Sequence, residues 1–259
     1  MLEFDLQKNG LRKLNSALHD QRENTNQTVW EIINPKGSHA VAVGIDAPLE
    51  VNIKGSTGYY CGGMNKQAQI NVDGSAGPGV AENMMSGIII IEGDASQYAG
   101  ATGHGGTLVI RGNAASRCGI SMKGIDIVVH GNIGHMSAFM AQSGNLVVCG
   151  DAGDALGDSI YEARLFVRGS VKSLGADCIE KEMRSEHLEI LRDLLTTGEL
   201  ERWTPMSEAL LMWASRYEHL IQVIEPALNS GKNVICDRFY DLSLIHISEP
   251  TRQAEISYA

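Results

Sequence analysis

The sequence predicts an all-β fold, a parallel β-helix built as a single-stranded solenoid with a small N-terminal α/β entry and a C-terminal capping helix. The first observation is a glycine that recurs every nineteen residues through the middle of the chain. Its seven positions are Gly55, Gly74, Gly93, Gly112, Gly131, Gly150 and Gly169. A fixed period of this length indicates one structural unit repeated. We therefore expect about seven turns, with these glycines as structural residues.

The second observation is a short apolar run before every glycine. The residues four and two positions before it, such as Val51 and Ile53 in the first turn, are aliphatic in all seven repeats. Alternate residues of a strand share one face. The pattern therefore predicts that these two positions of every turn point into one shared interior. The third observation is a small residue seven positions after every glycine, from Gly62 onwards. It predicts a crowded corner in each turn.

A further row of residues indicates that one outer face of the solenoid is covered. The residue three positions before each glycine is polar in the first two repeats and apolar afterwards. The apolar ladder consists of Ile90, Val109, Val128, Val147 and Phe166. Exposed apolar patches usually mark interfaces. The cover is either a flanking helix of this chain or a partner subunit, and the ladder is a candidate partner-facing surface.

The elements follow from the chain order. Residues 1–54 form the entry, with a strand at LEFDL, a short helix at 11–21, and strands at TVWEIIN and HAVAVGI. Residues 55–178 form the solenoid. Residues 179–198 contain a helix that begins at 183, carries Leu188, Leu191 and Leu195 on one face and stops at Gly198. We expect this helix to cap the open end of the solenoid.

The sequence changes character after Gly198. Residues 204–243 read as helix followed by a β run, and resemble an internal stretch of thymidylate kinase that carries the pair Asp237-Arg238. No phosphate-binding loop accompanies them, which argues against kinase activity. Residues 243–259 resemble translated sequencing-adapter sequence. We interpret residues 199–242 as a foreign thymidylate-kinase-like fragment and residues 243–259 as an artefactual tail.

Composition narrows the classes of function. The 259 residues carry a net charge of −10 without a basic stripe, so we expect no nucleic-acid partner. No apolar stretch is as long as a membrane span and no signal peptide begins the chain, which favours a cytoplasmic protein without a membrane partner. The five cysteines have no paired spacing and are typical of reduced thiols.

Several residues are candidates for chemistry, and each has a simpler interpretation. His104 lies in a glycine-rich segment, GATGHGG, that precedes a strand, which favours a corner over a phosphate-binding loop. The spacing of His104, His130 and His135 matches no metal-ligand pattern. Cys61 has no identifiable partner base, and a buried filler is the commoner role.

The remaining polar and acidic candidates also lack the pattern of a catalytic or metal-binding site. Glu82 and Asn83 are polar residues in a turn of small residues and could line a partner surface. Asp151, Asp154 and Asp158 resemble a calcium loop, but the EF-hand spacing and its final glutamate are absent. We therefore expect no catalytic, cofactor-binding or metal-binding residue in this chain.

Five segments together carry a family resemblance: GYYCGGMN, AGPGVAENMMSG, GATGHGG, SRCGISMKGIDIVVHGNIGHMSAFMAQSG and GDAGDALGDSIYEA. They resemble the GXGXG domain, the right-handed β-helix at the C-terminus of the large subunit of glutamate synthase. They are still more similar to its stand-alone version, the β-helix subunit of N-methylglutamate synthase and related complexes. The resemblance covers about residues 2–197.

The resemblance implies a cytoplasmic, structural subunit of an oxidoreductase complex in glutamate metabolism. Its partners would be a glutamine amidotransferase-like subunit and an FMN-dependent glutamate synthase-like subunit. FMN and the iron–sulfur cluster would belong to that second partner, with no cofactor bound by this chain. The family's usual segment after the capping helix is not found here, which puts the docking of this end in question.

Two alternatives stay open at the level of sequence. Formylmethanofuran dehydrogenase contains a subunit with the same solenoid, although its companion segments fit less well. An independent β-helix enzyme, for instance one acting on polysaccharides, would need clustered acids and stacking aromatic residues. The chain has only four Phe and seven Tyr.

Overall fold

The computed structural model describes residues 1–22 and 26–197, together with Pro226 and Ser230. The chain divides into two units, Met1–Gly198 and Glu199–Ala259. The interpretations of residues 199–242, including Asp237-Arg238, and of residues 243–259 lie outside the described residues. All the elements below belong to the first unit.

Nine strands and three helices form this unit in the described part of the chain. In chain order they are β1 (Leu2–Asp5), α1 (Leu6–Asn9), α2 (Leu11–Asp20), β2 (Val29–Ile33), β3 (Glu50–Lys54), β4 (Gln69–Val72), β5 (Ile88–Ile91), β6 (Thr107–Ile110), β7 (Lys123–Val129), β8 (Ser143–Val148), β9 (Arg164–Val167) and α3 (Ser185–Thr196).

The strands form one parallel sheet in which each strand pairs with the strands before and after it in sequence, from β1 to β9. Val51 lies opposite Ile70, and Ile70 opposite Ile89, so the register equals the nineteen-residue period. A second line of parallel bridges joins residues two positions after successive glycines, such as Ala76 and Ala95. The predicted parallel β-solenoid of about seven repeats is confirmed.

The core lies between the two lines of pairing. The residues four and two positions before each glycine are fully or almost fully buried in the first six repeats, as Ile53 and Ile70 illustrate. In the last repeat Leu165 and Val167 are only partly buried. The inward rows predicted from the alternating pattern are therefore confirmed. Only in the final turn are their side chains partly exposed.

The corners explain the row of small residues. Residues five, seven and nine positions after most of the repeat glycines have positive φ angles, as at Tyr60 (63°), Gly62 (64°) and Met64 (56°). A Cβ on Gly100 would lie 2.5 Å from the Ile127 side chain. The seventh position is small because it combines a left-handed backbone with close contact to the core.

The entry segment belongs to the same stack. Strands β1 and β2 continue the parallel sheet upstream of β3, as the predicted strands LEFDL and TVWEIIN require. Helix α2 confirms the helix expected at 11–21, and its Leu14 and Leu18 are completely buried in the solenoid core. The sheet therefore begins before residue 55, and α2 packs on its first turns.

The prediction of a strand at HAVAVGI, residues 39–45, is wrong. Ala40 and Ala42 have φ angles of 54° and 56°, and Gly44 has one of 68°. These alternating left-handed residues match the corner conformation of the later turns and are incompatible with an extended strand. The segment is fixed by Asn15 of α2, whose side chain donates to the Ala40 carbonyl (2.8 Å) and accepts from the Ala42 N–H (3.1 Å).

Candidate functional site

The seven glycines stack in a row along one edge of the sheet. The N–H of Gly93 donates to the carbonyl of Gly74 (2.9 Å), and the same bond recurs at every later repeat up to Gly169. A Cβ on Gly131 would lie 2.5 Å from Asn113 Oδ1 and 2.7 Å from the Gly112 carbonyl oxygen. Glycine is required at these later positions because neighbouring coils approach too closely for any side chain.

A ladder of short polar residues runs beside the glycines. In each of its first six members, a side-chain oxygen accepts the backbone N–H of the residue nineteen positions later, at 2.7–3.2 Å, and Ser170 is the last donor. The members of this polar ladder are Ser56, Ser75, Asp94, Asn113, Asn132, Asp151 and Ser170. The sequence analysis missed it, although the residue after every repeat glycine is Ser, Asp or Asn, which was the available signal.

The three aspartates of the calcium-like segment act separately. Asp151 belongs to the polar ladder, and the backbone N–H and hydroxyl of Ser170 lower the pKa of its carboxyl. Asp154 forms an ion pair with Lys172 at 2.7 Å. Asp158 accepts a hydrogen bond from the Ser159 hydroxyl at 2.9 Å. These contacts give each carboxylate its own local role.

The apolar outer ladder is covered by helix α3. Ile90, Val109, Val128 and Val147 are buried in one cluster with Leu194 of the helix. Phe166 is partly buried there, together with Ile190, Leu191 and Leu195. Of the two covers considered, the structure shows the chain's own helix, so a partner-facing role for Ile90, Val109, Val128, Val147 and Phe166 is corrected to an intramolecular one.

The position of α3 differs from the expected cap. Its contacts are with the outer face of the sheet, including β7, so the helix lies along the side of the solenoid. Leu188, predicted to be on the packed face, is 56% exposed, whereas Leu194 is 8% exposed. The apolar face is centred on Ile190, Leu191 and Leu194, because four-residue spacing places Ile190 above Leu194.

The histidine candidates do not meet. His104 and His135 are exposed at corners of different turns, and the His130 ring lies 3.3 Å from the Arg111 guanidinium on the outer sheet face. Within the described ranges no group of three His, Cys, Asp or Glu side chains could hold a metal ion.

Cys61 is a core residue. It is completely buried, and burial raises the pKa of its thiol to about 11. Cys118 occupies the same position three turns later, and burial raises the pKa of its thiol to about 12. Both thiols stay protonated at neutral pH, which makes them unsuitable as nucleophiles.

A second surface, which we call the corner face, carries polar and aromatic side chains from four turns. It consists of Tyr59, Tyr60, Met64, Glu82, Asn83, Tyr98, Thr102 and Arg117. Asn83 Nδ2 donates to the Tyr60 hydroxyl at 3.4 Å, and the Thr102 hydroxyl donates to Asn83 Oδ1 at 2.7 Å. These bonds join three successive turns at the surface.

Aromatic contacts extend the corner face on both sides. The rings of Tyr59 and Tyr60 stack at 5.4 Å. The Arg117 guanidinium lies 5.9 Å from the centroid of the Tyr98 ring and donates to its hydroxyl at 3.5 Å. Sequence reasoning selected only Glu82 and Asn83 here. The remaining members occupy the fourth, fifth and ninth positions after a glycine, and comparing these outward rows would have found them.

The C-terminal end of the stack forms a cleft of about 1130 Å³. It lies between the last turn, the following residues 177–187 and α3, with Leu165, Val167 and Leu174 in its lining. Ile179 and Met183 nearby are 69% and 52% exposed. The described residues thus leave the end of the core open.

Comparison with known proteins gives a close relative for most of the chain. Protein GlxC of Rhizobium meliloti (strain 1021) is 69% identical over 202 residues, which are 78% of this chain and 89% of that protein. No solved structure matches the chain.

A second similarity concerns thymidylate kinase. The family model for this enzyme matches residues 167–254. The thymidylate kinase of Caulobacter vibrioides is 41% identical over 91 residues, 34% of this chain and 43% of that enzyme. That of Rhizorhabdus wittichii is 34% identical over 96 residues, 36% of this chain and 45% of the enzyme. The chain spans less than half of these two enzymes.

Two further observations limit the assignment. No helix in the described part of the chain is long and apolar enough to cross a membrane. The similarity to thymidylate kinase covers about a third of the chain, whereas the similarity to GlxC extends over more than three quarters of it. On the strength of that match, this chain belongs to the family of protein GlxC.

Proposed function

We propose that this chain is a structural, non-catalytic β-helix subunit of a glutamate synthase-like oxidoreductase complex of the N-methylglutamate synthase type. It positions a glutamine amidotransferase-like subunit and an FMN-dependent glutamate synthase-like subunit, and acts in the cytoplasm. The observation that carries the proposal is the stacked solenoid itself, formed by the segments that resemble the β-helix of glutamate synthase. The similarity of most of the chain to protein GlxC supports a dedicated subunit of this kind.

The chemistry of the described residues supports a scaffolding role. Asp94, Asn113 and Asp151 accept backbone hydrogen bonds from the next coil, and Cys61 and Cys118 lie in the core. Side chains that could take part in catalysis thus stabilise the stack. A solenoid with such regular cross-links is a rigid element, as a platform for other subunits requires.

The cofactors expected in the complex belong to a partner in this proposal. An iron–sulfur cluster needs several convergent thiolates. Cys61 and Cys118 are buried in the core with raised thiol pKa values, and Cys149 and Cys178 lie in different turns. The described residues therefore do not fit a cluster, and the FMN and cluster chemistry is assigned to the synthase-like subunit.

Residues 199–259 are left out of the proposed functional unit. The thymidylate kinase match extends from 167 to 254 and includes no phosphate-binding loop sequence, since Ser230-Gly231-Lys232-Asn233 lacks both the upstream glycine and the final hydroxyl residue. Phosphoryl transfer would have no cradle for the phosphates. The proposal treats 199–242 as a foreign fragment and 243–259 as an artefactual tail.

Reconstitution tests the proposal. The full chain would be tagged and co-expressed with an amidotransferase-like subunit and an FMN-bearing synthase-like subunit. We expect all three to co-purify, with flavin absorbance following the tag, and glutamine-dependent glutamate formation to fall when this chain is omitted. Turnover by the chain alone, or full activity of the other two subunits without it, would contradict the proposal.

A further inference from the structure

The corner face differs from the sheet face in being uncovered. Tyr59 is 48% exposed and Met64 is 45% exposed, whereas the apolar ladder on the sheet is buried under α3. Tyr, Met and Arg are enriched at the cores of protein interfaces, where Lys, Glu and Asp are depleted. The corner face has this composition, with Glu82 and Arg117 as its only formal charges.

These two charges have opposite signs and lie two turns apart on the corner face. The Glu82 carboxylate lies over Gly79, since a Cβ there would be 2.7 Å from Glu82 Oε2. Gly79, Tyr98 and Arg117 occupy the same position in three successive turns, and the Arg117 guanidinium lies against the Tyr98 ring. Coils stack at about 4.8 Å, so the positions of Gly79 and Arg117, two coils apart, are separated by roughly 10 Å along one surface of the stack.

Neither charge has an ion-pair partner among the described residues. The salt bridges of this part of the chain involve other acids and bases, such as Lys54 with Asp73 and Lys172 with Asp154. Partial burial raises the pKa of the Glu82 carboxyl. A cation brought to Glu82 and an anion brought to Arg117 would each meet a charge that has no ion-pair partner of its own.

We propose that the corner face binds a second copy of this chain, forming a two-fold symmetric dimer in which Glu82 of each copy pairs with Arg117 of the other. A two-fold contact uses the same patch on both subunits, so that patch must complement itself. The corner face meets this condition because it carries one acid and one base. A two-fold axis between them would place the acid of each copy opposite the base of the other. Tyr59, Tyr60 and Met64 would supply the apolar contact around the two ion pairs.

The charge pattern favours a second copy over an unrelated protein. A different partner would need its own acid and base at matching separation, whereas a second copy carries both by symmetry. The near-neutral face also limits repulsion between two chains that each carry a net charge of −10. The proposal is independent of the glutamate synthase-like complex, because dimerisation needs no other subunit.

The test is the solution mass of the full chain, measured by size-exclusion chromatography with light scattering over a range of concentrations. The monomer mass is 27.9 kDa, and we expect twice this value for the wild type. Glu82→Arg and Arg117→Glu should each weaken the dimer by roughly a hundredfold, because each places like charges opposite one another. The double variant should restore the dimer, since the pairing is re-formed with its signs exchanged.

Asp73→Arg is the matched control. It makes the same change of charge on the sheet face, at a side chain that is 68% exposed, and should leave the dimer intact. Thermal unfolding of every variant checks that a loss of dimer is not a loss of fold. A monomeric wild type, including one that binds another protein through this face, would overturn the proposal. So would single charge reversals that leave the dimer unchanged, or a double variant that fails to recover it.

Discussion

Two residues in each turn hold neighbouring coils together. The repeat glycine lets the backbones meet, and the short polar residue after it accepts a hydrogen bond from the next coil, as Asn113 does from the Asn132 N–H at 2.9 Å. A net hydrogen bond of this kind contributes about 1 kcal/mol, and the steric requirement at the glycine is independent of it. Each can therefore be tested separately.

Gly131→Ala should destabilise the solenoid by about 2 kcal/mol, because its added methyl group would overlap Asn113 Oδ1 and the Gly112 carbonyl. Chemical denaturation measures the free energy of unfolding. Adding Asn113→Ala removes one of the two overlaps, so the double variant should lose less stability than the sum of the two single variants. Simple additivity, or no loss on Gly131→Ala, would show that the coils do not approach as closely as described.

Asp151 predicts a pH dependence. Its folded-state pKa is lowered by Ser170, so its carboxylate stabilises the fold above the unfolded-state pKa, which is about 3.9, and this contribution is lost as the pH falls through the folded-state pKa. Unfolding free energies measured from pH 6 down to pH 2 should fall more steeply for the wild type than for Asp151→Asn. The asparagine keeps the acceptor oxygen without the titration. Parallel profiles would contradict this role.

At the level of residues, the sequence identified positions better than roles. The glycine row was evident because a strict spacing needs no knowledge of side-chain direction. The polar ladder was missed because Ser, Asp and Asn after a glycine are also typical of turns. The contact between Asn83, Tyr60 and Thr102 depends on the left-handed corner backbone, which the sequence pattern does not reveal.

Among the elements, α3 and the outer sheet face depend on each other. The ladder of Val109, Val128 and Val147 would be an exposed apolar surface without the helix, and α3 is amphipathic. The helix follows the last turn and returns along the side of the stack. Its packing therefore links the final turns to β5 and β6.

Leu194→Ala should cost about 3 kcal/mol, because Leu194 is the buried centre of the contact between α3 and the sheet. Leu188→Ala on the same helix is the control, with an expected effect below about 0.5 kcal/mol, since Leu188 is exposed. Thermal or chemical unfolding separates the two variants. Equal losses, or a larger loss at Leu188, would place the other face of α3 on the sheet.

The elements were predicted unevenly for a physical reason. Strands such as β1 and β2 carry the alternating pattern, and α2 carries a helical one, so both types were recognisable. Residues 39–45 contain a continuous apolar run that also suits a buried strand, but their backbone follows the left-handed corner. The helical pattern of α3 was visible in the sequence. The face that α3 packs, and its place along the side of the solenoid, depend on the apolar ladder, whose members lie in other turns.

On the scale of the whole molecule, one parallel stack accounts for the described unit from β1 to β9. Every strand pairs only with its sequence neighbours, so each turn depends mainly on the turns beside it. Helix α2 packs on the first turns, and α3 supports the later ones from the side. The outer rows and the corner face therefore belong to one rigid stack, and the nineteen-residue period sets the positions of their side chains.

The stack of coils is the feature on which the proposed function and the proposed dimer both depend, and a chain ending at residue 198 tests it most directly. If the solenoid is a self-contained unit, thermal unfolding of residues 1–198 should remain cooperative, with a midpoint within a few degrees of the full chain. Loss of cooperative unfolding, or a large drop in the midpoint, would show that residues 199–259 are part of the fold and would contradict a stack complete in itself.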